Sequence, residues 1–127
     1  MLIAGKQHSP DRAQQERDFS ALRYGKITPT DIDAIIEYHD KGYIIIEVKL
    51  AGIDVQYGQY LALVRLCDDL QKNKPTILIL ARHNYPPDVA IDFSNCDVEK
   101  YRYDYKWVEW AGKVKKLVDN FIERKLS

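Results

Sequence analysis

The sequence predicts a single α/β domain spanning residues 1–127, and three observations predict it. Two β-branched runs, residues 32–38 and 43–49, flank a polar Asp40-Lys41-Gly42 turn, the local signature of an antiparallel hairpin. Residues 76–81 form a continuous apolar run that fits a central strand covered on both faces. Residues 55–70 and 111–125 carry apolar side chains at helical spacing.

Taken in order, the first eight residues read as a frayed end, and Ser9-Pro10-Asp11 supplies a cap and a proline for a helix over residues 10–24. Ala13, Glu16, Phe19 and Ser20 share one side of that helix, which makes Glu16 a third acidic group near the sheet, with Asp18 as its competitor. The ordinary alternative for Glu16 is a partly exposed pair with a neighbouring arginine. Tyr24-Gly25-Lys26 stops the helix, and Thr28-Pro29-Thr30 leads into the hairpin.

In the second helix Leu61, Val64 and Leu70 are core-facing candidates. Its first turn holds Gln56, Gln59 and Tyr60 just beyond the second hairpin strand, where they line a shared pocket or simply meet water. His83 ends the central strand and, without a nearby cysteine or histidine partner, reads as structural. After the Tyr85-Pro86-Pro87-Asp88 loop, residues 89–93 fit a short edge strand. Tyr101, Tyr103, Tyr105 and Trp107 alternate with charged residues. That pattern fits a half-buried strand packed on a helix, with base stacking as the competing use. In the last helix Val114, Leu117, Val118, Phe121 and Ile122 form the apolar side.

Nineteen basic and nineteen acidic residues balance, so no global field steers the chain toward nucleic acid or an anionic membrane, and any polyanion site is local. Cys67 and Cys96 lack metal-ligand spacing, and Cys67 falls on the apolar side of its helix as a buried free thiol. With no signal-like or membrane-spanning run, the expectation is a soluble, cytoplasmic protein with no membrane partner.

One charge cluster stands apart. Glu47 and Lys49 share a strand face roughly 6.6 Å apart along the strand, while Val48 points the other way. A two-residue Asp40-Lys41 loop would set Asp33 opposite Val48, on the wrong face. A three-residue Asp40-Lys41-Gly42 loop, with Gly42 left-handed, pairs Asp33 with Lys49 and leaves Glu47 one diagonal step away. Two carboxylates and an amine then converge. Asp33, Glu47 and the Val48 carbonyl would form an incomplete octahedral set for Mg2+, with Mn2+ as a substitute, and Lys49 would orient water or stabilise charge at a phosphate. The plainer account is a Glu47–Lys49 ion pair on the sheet, with Asp33 as a turn or cap residue.

Thr30-Asp31-Ile32-Asp33-Ala34-Ile35-Ile36-Glu37 followed by Ile45-Ile46-Glu47-Val48-Lys49 resembles the core motif of the PD-(D/E)xK nuclease superfamily. The resemblance implies a restriction-endonuclease-like core, a mixed central sheet flanked by helices in α-β-β-β-α-β order. It implies Asp33 and Glu47 as metal ligands, Lys49 as the catalytic lysine, and roles for Glu16 and Gln59 from the flanking helices. The proline of the motif is displaced to Pro29, and Asp31 is a rival ligand on the same face. The implied activity is metal-dependent hydrolysis of DNA phosphodiesters. The alternative is an inactive module of the same fold that binds nucleic acid or a protein. Small stand-alone members include junction resolvases and proteins of phages and mobile elements, and many act as homodimers. The sequence does not select among duplex, branched and single-stranded DNA, or between DNA and RNA.

Overall fold

In the computed structural model, which describes residues 15–127, five strands form one mixed sheet in the order β1-β2-β3-β4-β5. Chain order is β1 (Ala34–Tyr38), β2 (Gly42–Leu50), α1 (Tyr57–Gln71), β3 (Thr76–His83), β4 (Asp97–Tyr103), β5 (Lys106–Glu109) and α2 (Val114–Lys125). The α/β class holds, but the expected α-β-β-β-α-β order does not. Among the described residues the order is β-β-α-β-β-β-α.

The central elements follow from the apolar runs. β2 and β3 pair in parallel through the α1 crossover, and the other neighbours pair antiparallel. β3 lies in the middle and is buried along Thr76 to Ala81, as a run without polar alternation requires. One face packs Ile44, Ile46, Val48, Ile77 and Ile79 against Val114, Leu117, Val118 and Phe121 of α2. The other packs Ile45, Leu78 and Leu80 against Leu63 and Cys67 of α1. Each fully buried aliphatic contributes about 1.5–3 kcal/mol, so β2, interleaved into both layers, anchors the sheet. In α1, Val64 and Leu70 pack at the margin of this core as expected, whereas Leu61 turns to a cleft.

The leading helix is the main departure. The proposed cap at Ser9-Pro10-Asp11 lies outside the described residues, and residues 15–24 are irregular. The Asp18 carboxylate accepts the Ser20 N–H (2.9 Å), Leu22 N–H bonds the Phe19 carbonyl, and Tyr24 bridges to Ile27 around left-handed Gly25. Such local bonds compete with the helical ladder. Phe19 and Leu22 remain exposed, so no packed apolar face supports a helix there.

The hairpin loop is three residues long but sits one position earlier than expected. Tyr38 pairs with Gly42, leaving His39, Asp40 and Lys41 in the loop. His39 and Asp40, not Gly42, adopt positive φ (48° and 61°), and Lys41 N–H closes the turn on the Tyr38 carbonyl at 2.8 Å. Gly42 serves another need. A Cβ there would collide with the Pro75 carbonyl oxygen and the Leu126 side chain. Continuing the register from Ala34 opposite Ile46 sets Asp33 opposite Glu47 rather than opposite Lys49. The shift is an even number of residues, so the shared face survives.

Two expectations near the C-terminal half also change. Residues 89–93 form no strand, because Asp92 accepts from Ser94 N–H and Oγ and starts a short 3-10 turn, Phe93–Asn95. The aromatic alternation is broken by a turn at Asp104 and Tyr105, both at positive φ (52° and 66°). Tyr101 and Tyr103 therefore pack toward α2, while Trp107, opposite Arg102, packs toward α1 and donates to the Tyr60 hydroxyl at 2.8 Å. At His83, Nδ1 accepts the Tyr85 N–H and the backbone carbonyl accepts the Ala51 N–H, which ties the strand end to both adjoining loops.

Candidate active site

Glu47 is the centre of the site. Strand alternation sends it to the α1 side of the sheet, between β1 and β3 and beneath the first turn of the helix, where it is 1% exposed. Oε1 accepts a hydrogen bond from Gln59 Nε2 (3.1 Å) and lies 3.4 Å from Lys49 Nζ. Oε2 is buried and accepts no hydrogen bond among the described residues, and the neighbouring Asp33 carboxyl can bond the Glu47 carboxyl only when the two share a proton. Burial pushes the carboxyl up to about 7, the adjacent Asp33 carboxyl pushes the same way, and Lys49 opposes both.

Asp33 lies just before β1 begins. Its Oδ2 accepts the Val48 N–H at 2.8 Å, filling the hydrogen-bonding place that a residue of β1 would take if the pairing continued. The two ladder-facing groups of a strand residue point the same way, so the Val48 carbonyl also faces Asp33. The expected cluster of Asp33, Glu47, Val48 and Lys49 is thus together on one patch. Gln59 joins it and ties it to the preceding loop, since Nε2 also approaches the Asp31 carbonyl at 3.4 Å.

Two expected acids stand outside this cluster. Asp31 turns its carboxylate toward Arg17 Nη2 (4.0 Å) on the exposed surface. Glu16 is exposed on the irregular segment, and neither a hydrogen bond nor an ion pair engages it among the described residues. Gln56 lines the neighbouring cleft, and Tyr60 belongs to the Trp107 stack.

That cleft, about 820 Å3, opens beside Lys49 between residues 26–31 on one side and α1 on the other. Lys26 and Arg65 contribute to its lining, and sequence reading did not single them out. Arg65 looks like any cation on the solvent side of a helix, and Lys26 like a helix-stop residue. Only the fold brings them to one space.

Among the described residues no group of three or more His, Cys, Asp or Glu side chains is placed to hold a metal. The donors at hand are two carboxylates and a carbonyl. They fit a hard divalent ion that keeps several waters, because a cation would satisfy the buried, partnerless Glu47 Oε2 and relieve the Asp33–Glu47 repulsion. Lys49 would stay at the border between these oxygens and the cleft.

No family model, curated protein or solved structure matches the chain. The functional reading therefore rests on the site's own chemistry and on the motif resemblance. No helix among the described residues is long and apolar enough to cross a membrane.

Proposed function

We propose that this protein is a metal-dependent DNA endonuclease with a PD-(D/E)xK site on a restriction-endonuclease-like core. The observation that carries the reading is the buried Glu47 carboxylate, one oxygen of which accepts no hydrogen bond among the described residues, beside a second carboxylate and a lysine. A sheet selected for stability alone gains little from such a group, because an unsatisfied buried oxygen costs about 1–3 kcal/mol.

Asp33, Glu47 and the Val48 carbonyl would hold Mg2+ or Mn2+, which when bound supplies Lewis-acid polarisation of a phosphate oxygen. Glu47 is kept in place by Gln59, and the Val48 N–H fixes one oxygen of Asp33 while leaving the other available. Lys49 contributes a cation at the cleft border, positioned to orient the attacking water and to offset negative charge growing on the phosphorus-bound oxygens.

The test is a cleavage panel of plasmid, single-stranded and branched DNA with Mg2+ or Mn2+. Asp33→Ala, Glu47→Ala and Lys49→Ala should each abolish cutting while circular dichroism shows the fold retained. Cutting that survives all three substitutions would remove the mechanism.

A second reading, a noncatalytic module of the same fold, draws on the Asp33–Val48 bond, which explains Asp33 as a strand cap without any metal. Titration separates the two. A module without a metal site shows no thermal shift with millimolar Mg2+ or Mn2+, and its DNA binding is unchanged by Asp33→Asn.

A further inference from the structure

The cleft beside Lys49 has a chemistry that one form of nucleic acid satisfies better than another. Its volume, about 820 Å3, lies within the 300–1,000 Å3 typical of sites for compact ligands, room for a short stretch of one chain rather than for a flat duplex contact. Lys26 lines one side and Arg65 the other, and neither has an ion-pair partner among the described residues. With Lys49, which Glu47 holds at 3.4 Å, they set three cations against Asp31 and Asp54. Asp31 lies 4.0 Å from Arg17, which offsets part of its charge, and Asp54 is the carboxylate of the lining with no ion pair among the described residues.

Apolar side chains share the same lining. Ile27 is 71% exposed and Ile53 is 53% exposed, and both line this one recess. A duplex presents phosphates and groove edges but keeps its base faces stacked inside. An unpaired strand presents phosphates and base faces together, so the cations of the recess can meet phosphates while its aliphatic side chains make apolar contact with bases, without the aromatic stacking that many single-strand sites use.

We infer that the cleft binds an unpaired DNA strand, with Lys26 and Arg65 on phosphates and Ile27 and Ile53 against bases, and delivers that strand to Lys49 and Glu47. The substrate class that follows is single-stranded DNA or a single-stranded flap, not an intact blunt duplex. For the reaction this rests on the nuclease reading of the Glu47 site, but the binding preference stands apart from it.

The experiment measures fluorescence anisotropy of the full chain with a labelled 12-nucleotide single strand and with a blunt hairpin duplex, in EDTA so that nothing is cut. The single strand should bind at least about tenfold more tightly. Lys26→Ala and Arg65→Ala should each weaken it by roughly threefold or more and lower the slope of log K against log salt by about 0.7, the loss of one phosphate contact on a single strand. Ile53→Ser should weaken binding without changing that slope. Equal affinity for duplex and single strand, or an unchanged single-strand affinity in both cation variants, would overturn the inference. Cleavage of blunt duplex with equal binding would sink it while leaving the nuclease intact; strand-selective binding without any cleavage would do the reverse.

Discussion

The carboxylate of Asp33 completes the hydrogen bonding of a neighbouring strand: its Oδ2 takes the Val48 N–H at 2.8 Å where β1 has not yet begun. One side chain therefore carries two duties, closing the sheet margin and standing beside Glu47. The duties separate by substitution. Asp33→Asn keeps an acceptor oxygen for Val48 and should unfold in urea within about 0.5 kcal/mol of the parent, whereas Asp33→Ala should lose about 1–2 kcal/mol. Both variants should fail to cut DNA. Equal stability of the two variants would show that the cap contributes nothing.

Gly42 offers a test of the close approach between β2 and the chain before β3. Its backbone needs no left-handed angle, yet a Cβ would meet the Pro75 carbonyl and the Leu126 side chain. The carbonyl is backbone and already accepts the Tyr43 N–H at 3.1 Å, so it cannot move freely. Gly42→Ala should cost about 1–3 kcal/mol in chemical denaturation. A Leu126→Ala background should recover only the part due to the side chain.

The elements legible in the sequence were those whose pattern reports burial on their own. The 76–81 run became the central strand because a strand covered on both faces has no polar alternation, and α2 buried Val114, Leu117, Val118 and Phe121 because its apolar stripe faces one sheet. The common face of Asp33, Glu47 and Lys49 was legible because it depends only on loop parity. The partner of Asp33 was not, since His39 and Asp40 took the left-handed angles without glycine. The turn at Asp104 and Tyr105 was hidden for the same reason. The stretch over residues 15–24 has helical spacing, but local bonds at Asp18 and Phe19 prevail where no packed face supports a helix. Lys26 and Arg65 were invisible because only the crossover brings them to one cleft.

Cys67 should be chemically silent. It is 1% exposed, and burial, aided by the Asp68 charge, pushes its thiol up to about 12. Cys96 is buried as well, and burial raises its thiol too. A thiol-reactive dye at pH 8 should label neither cysteine in the folded protein within minutes and both in denaturant. Rapid labelling of Cys67 without unfolding would mean that the layer between α1 and the sheet opens on its own.

The pH dependence of stability should carry the mark of Glu47. Its carboxyl titrates at about 7 in the folded chain against 4.5 ordinarily, so between those values the folded state holds a proton that the unfolded state has released. Stability therefore falls as pH rises through this window, and the loss is complete above about 7. The full shift corresponds to about 3 kcal/mol at most, and water reaching the site reduces it. Glu47→Gln keeps a group able to meet Gln59 and removes the titration. Urea denaturation at pH 5 and pH 8 should then show a drop in the parent that the variant lacks. Mg2+ should restore stability more at pH 8 than at pH 5, because the cation competes with the proton for the same oxygens. A parent whose stability is flat across the window would show that Glu47 is already ionised at pH 5, and the orphaned oxygen would then need a partner other than a proton.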